Sequence, residues 1–169
     1  MYPYNTSNER AKKSIVAARK DFPEPLANNT SLSELFSNAI ADETMDSAKY
    51  KALMDYLTKN GLDDLAQLAK TMYSDESSHK MLLEAMADDD GIEYTEPSDM
   101  TEEFDFSLEG LLNNVSSEIE GARFYRDFMR VLNNENAGDT EVISDIMNDE
   151  QNHAVLNSLI YSTLLSNTK

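Results

Sequence analysis

An all-α fold arranged as a four-helix bundle is what this sequence predicts. Apolar residues recur at spacings of three and four through most of the chain, which is the period of one helix face, and they nowhere alternate long enough to make a strand. Five glycines and four prolines in 169 residues leave room for long, uninterrupted helices. A length of this order fits one domain with a full core. The division expected is an arm over 1–30 and a bundle over 31–169.

The arm predicts a short helix over about 7–20, ended by Phe22-Pro23-Glu24-Pro25, because proline removes a donor and restricts the residue before it. The first bundle helix starts near Ser31, where Ser31-Leu32-Ser33-Glu34 forms a capping box, and stops at Asn60-Gly61, a left-handed cap. Its inner stripe is Leu32, Phe36, Ala39, Glu43, Tyr50, Leu53 and Leu57. The second, capped by Asp63, runs to about Ala87 and turns Leu65, Leu68, Met72, Glu76, His79, Leu83 and Met86 inward. Residues Asp88 to Asp105 are acidic and broken by Gly91 and Pro97, too long for a tight turn. They read as a crossover along the bundle that sets the second and third helices parallel. The third helix covers about Ser107 to Asn133 with Leu111, Val115, Glu118, Ala122, Tyr125, Met129 and Leu132 inward. The fourth covers about Asp139 to Ser166, its stripe being Ile143, Ile146, Glu150, His153, Asn157 and Ile160.

Composition narrows the function. No cysteine is present, so disulfides, thiolate metal sites and a rubredoxin-type iron centre are excluded, and any metal must use oxygen and nitrogen. The net charge of -18 repels phosphate, and no nucleic-acid partner is expected. Residues 1–20 depart from this with a local balance of +4, which reads as a segment that docks on its own acidic bundle or on a neighbouring subunit. Met1-Tyr2-Pro3-Tyr4-Asn5 lacks an apolar signal core, and no apolar run approaches the roughly 18 residues of a membrane span. A cytoplasmic protein without a membrane partner is expected.

The chemistry lies in a repeated pattern. Both histidines of the chain sit in Glu76-Ser77-Ser78-His79 and Glu150-Gln151-Asn152-His153, and residues i and i+3 of a helix share one face, about 5–6 Å apart. Glu43 precedes Glu76 by 33 residues and Glu118 precedes Glu150 by 32. A shift of 75 residues lays Phe36, Ile40, Glu43, Tyr50, Met54 and Leu57 over Leu111, Val115, Glu118, Tyr125, Met129 and Leu132, and a shift of 74 superposes the Glu-x-x-His pairs. The chain is a duplicated half-site. Each glutamate occupies a stripe position where the period calls for Leu or Ile, and an unpaired carboxylate in a low-dielectric interior costs several kcal/mol. Four would outweigh the roughly 5–15 kcal/mol stability of an ordinary domain, whereas two divalent cations offset their charge. Glu43, Glu76, His79, Glu118, Glu150 and His153 are therefore the candidate metal ligands.

This pattern resembles the ferritin-like di-iron carboxylate superfamily, whose four helices carry Glu, Glu-x-x-His, Glu, Glu-x-x-His. The likeness covers about residues 31–166, and Glu43-Thr44-Met45-Asp46-Ser47-Ala48-Lys49-Tyr50 looks most like the first helix of rubrerythrins and bacterioferritins. It implies a ferritin-like bundle with Glu43 and Glu118 as terminal carboxylates, Glu76 and Glu150 as bridging ones, and one histidine per metal. It further implies that Asp75 reaches His153 and Asp149 reaches His79, and that Tyr50 and Tyr125 hydrogen-bond the site or carry redox equivalents. Rubrerythrins add a carboxylate one turn after the third-helix ligand. Here that position is Gly121, and Asp46, at the matching place on the first helix, is the carboxylate left for the role.

The activity expected from the resemblance is reduction of dioxygen or peroxide at two iron ions, with ferrous iron or an external reductant as electron source, as in oxidative-stress defence. An iron-storage protein without turnover, a manganese enzyme that dismutates peroxide, and a bundle that metals merely stabilise remain open. The chain ends 16 residues after His153, short of the extra helix of many cage-forming ferritins, so a homodimer or small homo-oligomer is expected.

Overall fold

The computed structural model describes residues 30–97 and 103–167. Four long helices account for most of them: α1 Leu32–Lys59, α2 Asp63–Asp89, α3 Leu108–Glu135 and α4 Thr140–Asn167. No strand occurs among the described residues, and none of these helices is long and apolar enough to cross a membrane. The short helix expected over 7–20 lies outside the described residues.

Helix ends follow side-chain and turn chemistry. Ser31 accepts from the Glu34 N–H at 3.2 Å and opens α1, and Ser107 accepts from the Gly110 N–H at 3.1 Å and opens α3. Gly61, at φ 70°, closes α1 by letting the Leu62 N–H return to the Leu57 carbonyl at 3.0 Å. That closure corrects the start expected for α2. Leu62, already committed to ending α1, also begins α2 by accepting from the Ala66 N–H at 2.9 Å, so Asp63 is the first helical residue rather than the cap. With Asp64 it still places negative charge at the positive end of the helix dipole.

The core divides into two apolar clusters, one toward each end of the bundle. Leu35, Phe36, Leu83, Phe128, Leu132 and Ile143 belong to one, where the Phe36 and Phe128 rings meet edge-on at 5.0 Å. Leu53, Leu57, Leu65, Leu111 and Ile160 belong to the other. The order of these residues gives the topology: α2 and α3 both run from the second cluster to the first, whereas α1 and α4 run the opposite way. Ile92 and Tyr94 pack on the first cluster and Phe106 on the second, so the connection between α2 and α3 traverses the bundle, giving the ferritin-like arrangement. On α3 the fully buried ring is Phe128, with Met129 only partly covered, so the inner stripe sits slightly off the heptad reading.

The crossover docks onto α3 through a missing side chain. A Cβ on Gly110 would lie 2.0 Å from the Asp105 carbonyl oxygen, a backbone atom that cannot move alone. Gly110→Ala is therefore expected to destabilise the fold by about 1–3 kcal/mol, the range for overpacking, read as a lowered denaturation midpoint with an unchanged m-value.

Candidate metal centre

Between the two apolar clusters lies a charged layer. Glu43, Glu76, His79, Glu118, Glu150 and His153 are each between 0% and 3% exposed, an extreme burial for carboxylates. Helical spacing puts them there: i and i+3 bring Glu76 under His79 on α2 and Glu150 under His153 on α4, while α1 and α3 each contribute one glutamate to the same level. Their donor atoms form two overlapping groups, Glu43, Glu76, His79 and Glu150, and Glu76, Glu118, Glu150 and His153, each with its atoms within 4.8 Å of one another. Glu76 and Glu150 belong to both.

The surrounding polar atoms aim the cluster inward. His79 Nε2 lies 3.3 Å from Asp149 Oδ2 and His153 Nε2 lies 3.2 Å from Asp75 Oδ2, a crossed pairing between α2 and α4. Each ring thus turns Nδ1 to the centre, where His79 Nδ1 is 3.1 Å from Glu76 Oε2 and His153 Nδ1 is 3.0 Å from Glu76 Oε1. The tyrosines are crossed too: the Tyr125 hydroxyl donates to Glu43 Oε1 and the Tyr50 hydroxyl to Glu118 Oε1. Asn157 donates to the Tyr50 oxygen at 2.6 Å. Glu43 Oε2, Glu76 Oε1, Glu118 Oε2, Glu150 Oε1 and His153 Nδ1 are buried without a hydrogen-bond partner. Such orphans are rare in native interiors, and five converging on one layer fit a pair of bound cations.

Two features near the layer have no sequence precedent in the ligand pattern. Lys49 is buried, its ammonium 2.8 Å from Asp46 Oδ1 and 3.3 Å from Glu118 Oε1. Asp46 thus engages Lys49 and stands outside both donor groups. A pocket of about 360 Å³ opens between α1 and α3, where Asp42, Asp46, Glu120, Gly121 and Phe124 surround the buried Glu43 and Glu150. Gly121 makes the space: a Cβ there would stand 2.7 Å from Glu150 Oε2.

Residues 34–107 match the Rubrerythrin family model. The matched segment takes in α1 from Glu34 on, α2 and the connection that follows, hence Glu43, Glu76 and His79, while Glu118, Glu150 and His153 come from the second half of the internal repeat. No curated protein and no solved structure matches the chain. The rubrerythrin match and the buried carboxylate–histidine layer together indicate di-metal binding.

Without cations the layer balances itself with protons. Burial pushes the Glu43 carboxyl up to about 8 against the pull of His79, and burial with three neighbouring glutamates pushes Glu150 up as well. Burial also opposes charge on Glu76 and Glu118, but the imidazoles facing them, with Lys49 and Tyr50 at Glu118, outweigh it and hold both down. Burial opposes charge on the imidazoles, yet Glu43 and Glu76 lift His79 to about 10, and Glu118 and Glu76 lift His153 to about 11. Protonated Glu43 and Glu150 then accompany two carboxylates and two imidazolium rings.

The sign of the pH dependence follows. Glu43 and Glu150 keep protons in the folded state that unfolded glutamates release near 4.5, and the histidines keep protons that unfolded ones release near 6.5. The lowered groups, Glu76 and Glu118, change stability only below the ordinary value of 4.5. Metal-free stability therefore falls as pH rises from about 5 to about 8, more steeply once the unfolded imidazoles deprotonate. Thermal unfolding of metal-free protein should show Tm falling across this range, and added metal should reverse the trend because deprotonated ligands are the binding forms. A metal-free Tm that climbs with pH would contradict it.

Proposed function

We propose that the protein is a di-metal oxidoreductase of di-iron type that reduces dioxygen or peroxide, taking electrons from ferrous iron or another external reductant. The observation that carries this reading is the pair of four-residue donor groups sharing Glu76 and Glu150, reached by a pocket that ends on Glu43 and Glu150. The pocket gives a small oxidant a way in to those donor groups.

When bound, two such metals supply electrons and open coordination positions for breaking an oxygen–oxygen bond. The residues of the chain set the frame for that chemistry. Glu76 and Glu150 would bridge the two positions, with Glu43 and His79 completing one and Glu118 and His153 the other. Asp149 and Asp75 fix the imidazole rings through their outer nitrogens, which holds Nδ1 on target and raises its basicity. Tyr125 and Tyr50 occupy the outer oxygens of Glu43 and Glu118 and leave Oε2 of each facing inward. Burial and neighbouring carboxylates push both phenols well above their ordinary value, so each keeps its proton at neutral pH and stays a donor. Asp46, on the pocket wall and raised by burial to about 6, is placed to relay the protons that oxygen reduction consumes.

Oxygen and nitrogen donors of this kind also accept manganese, so metal analysis accompanies the assay. Protein purified without added metal should carry two iron ions per chain, oxidise ferrous iron or consume peroxide, and lose most of that turnover in Glu43→Ala. One ion or none per chain would overturn the di-metal reading. Full loading without turnover would leave a binding or storage protein, and manganese with peroxide dismutation would reassign the reaction. Light scattering tests the small homo-oligomer that accompanies this reading, and a large hollow particle would favour storage.

A further inference from the structure

The internal repeat that makes the two halves of the site alike breaks at two positions. The shift of 75 residues that carries Glu43 to Glu118 also carries Asp46 to Gly121 and Lys49 to Phe124. On α1 the pair is ionic, with Lys49 buried against Glu118 and Asp46 half-buried on the pocket wall, while on α3 it is a glycine and a ring that also line the pocket. Among the described residues Lys49 is the one buried lysine or arginine, and its ammonium also lies 4.5 Å from the centre of the Tyr50 ring.

The chemistry of the two terminal carboxylates therefore differs. Glu118 Oε1 accepts from the Tyr50 hydroxyl and from the Lys49 ammonium at 3.3 Å, which uses both lone pairs of that oxygen and leaves Oε2 alone for a metal. Glu43 Oε1 accepts from the Tyr125 hydroxyl, a neutral donor, and Phe124 offers no hydrogen bond where Lys49 would stand. A cation beside Glu118 shares its carboxylate with a fixed positive charge a few ångströms away in a poorly screened interior. Asp46 Oδ1 lies 2.8 Å from the same Nζ, an ion pair that fixes the ammonium beside Glu118. The pocket touches Glu43 and Glu150 but not Glu118 or His153.

We propose that Lys49 is a positioning residue that makes the two metal positions unequal, holding Glu118 as a weakened one-oxygen ligand so that the Glu43–His79 position fills first and the Glu118–His153 position second. The inference rests on the di-metal reading. Its consequence is a division of labour, with a tightly filled position facing the pocket and a weaker one behind it.

Calorimetric titration of the metal-free, full-length protein with manganese(II), repeated with cobalt(II) by absorbance, tests it. Two resolved steps are expected, differing on the order of tenfold or more in affinity. His79→Ala should remove the tight step and His153→Ala the weak one. Lys49→Met should tighten the second step by about tenfold and merge the two, whereas Lys49→Arg, which keeps the charge, should preserve the separation. Because Lys49→Met also frees Asp46 to become a ligand, the double variant Asp46→Asn/Lys49→Met is needed, and it should merge the steps as well. Two ions bound with coincident affinity in the native protein, an unchanged separation in Lys49→Met, or tightening confined to the single variant would each overturn the role of Lys49 while leaving two metals per chain. One ion or none would overturn the di-metal reading together with it.

Discussion

A carboxylate withdrawn from water between packed helices costs several kcal/mol, and this bundle withdraws four of them into one layer. The rest of the architecture answers that constraint. Apolar clusters at either end supply the burial that drives folding, and the charged layer is confined between them. Within the layer each acidic group faces a compensating partner: imidazoles toward Glu76 and Glu118, phenolic hydroxyls at Glu43 and Glu118, and protons or cations for what is left. Crossed contacts between α2 and α4 and between α1 and α3 tie the two hairpins together at the level where charge density is highest.

The six clustered residues were legible because each glutamate and histidine interrupts an apolar stripe, and a helical period converts that interruption into a direction. The helix boundaries were legible at Ser31, Ser107 and Gly61, where capping chemistry is local. The start of α2 was misread at Asp63 because one residue, Leu62, serves two helix ends, which short-range preferences cannot express. Lys49 was missed for a different reason. A lysine three residues after an aspartate reads as an exposed helical pair, and nothing in its own neighbourhood signals burial. The available clue was indirect: under the 75-residue repeat its counterpart is Phe124, a ring, which marks the position as one that meets the interior.

Duplication and divergence act on different shells of the same site. The inner residues repeat almost residue for residue, so the two halves agree in ligand type, in the tyrosine that contacts each terminal glutamate and in the aspartate beyond each histidine. The wall outside them does not repeat. Gly121 leaves room beside Glu150, Lys49 stands against Glu118, and a missing side chain matters there as much as a present one. Such a pattern lets a symmetric scaffold place two equal sets of ligands in unequal surroundings without altering the bundle.

The mixing of ligands across hairpins has a further consequence. Each donor group draws on both halves of the chain: Glu150 joins the three residues from α1 and α2, and Glu76 joins the three from α3 and α4. A chain severed within the connection between α2 and α3 would yield two fragments, each an intact antiparallel pair and neither owning a whole binding site. On the proposed di-metal reading their reunion would depend on cation concentration, and the split protein would act as a metal-gated switch for association.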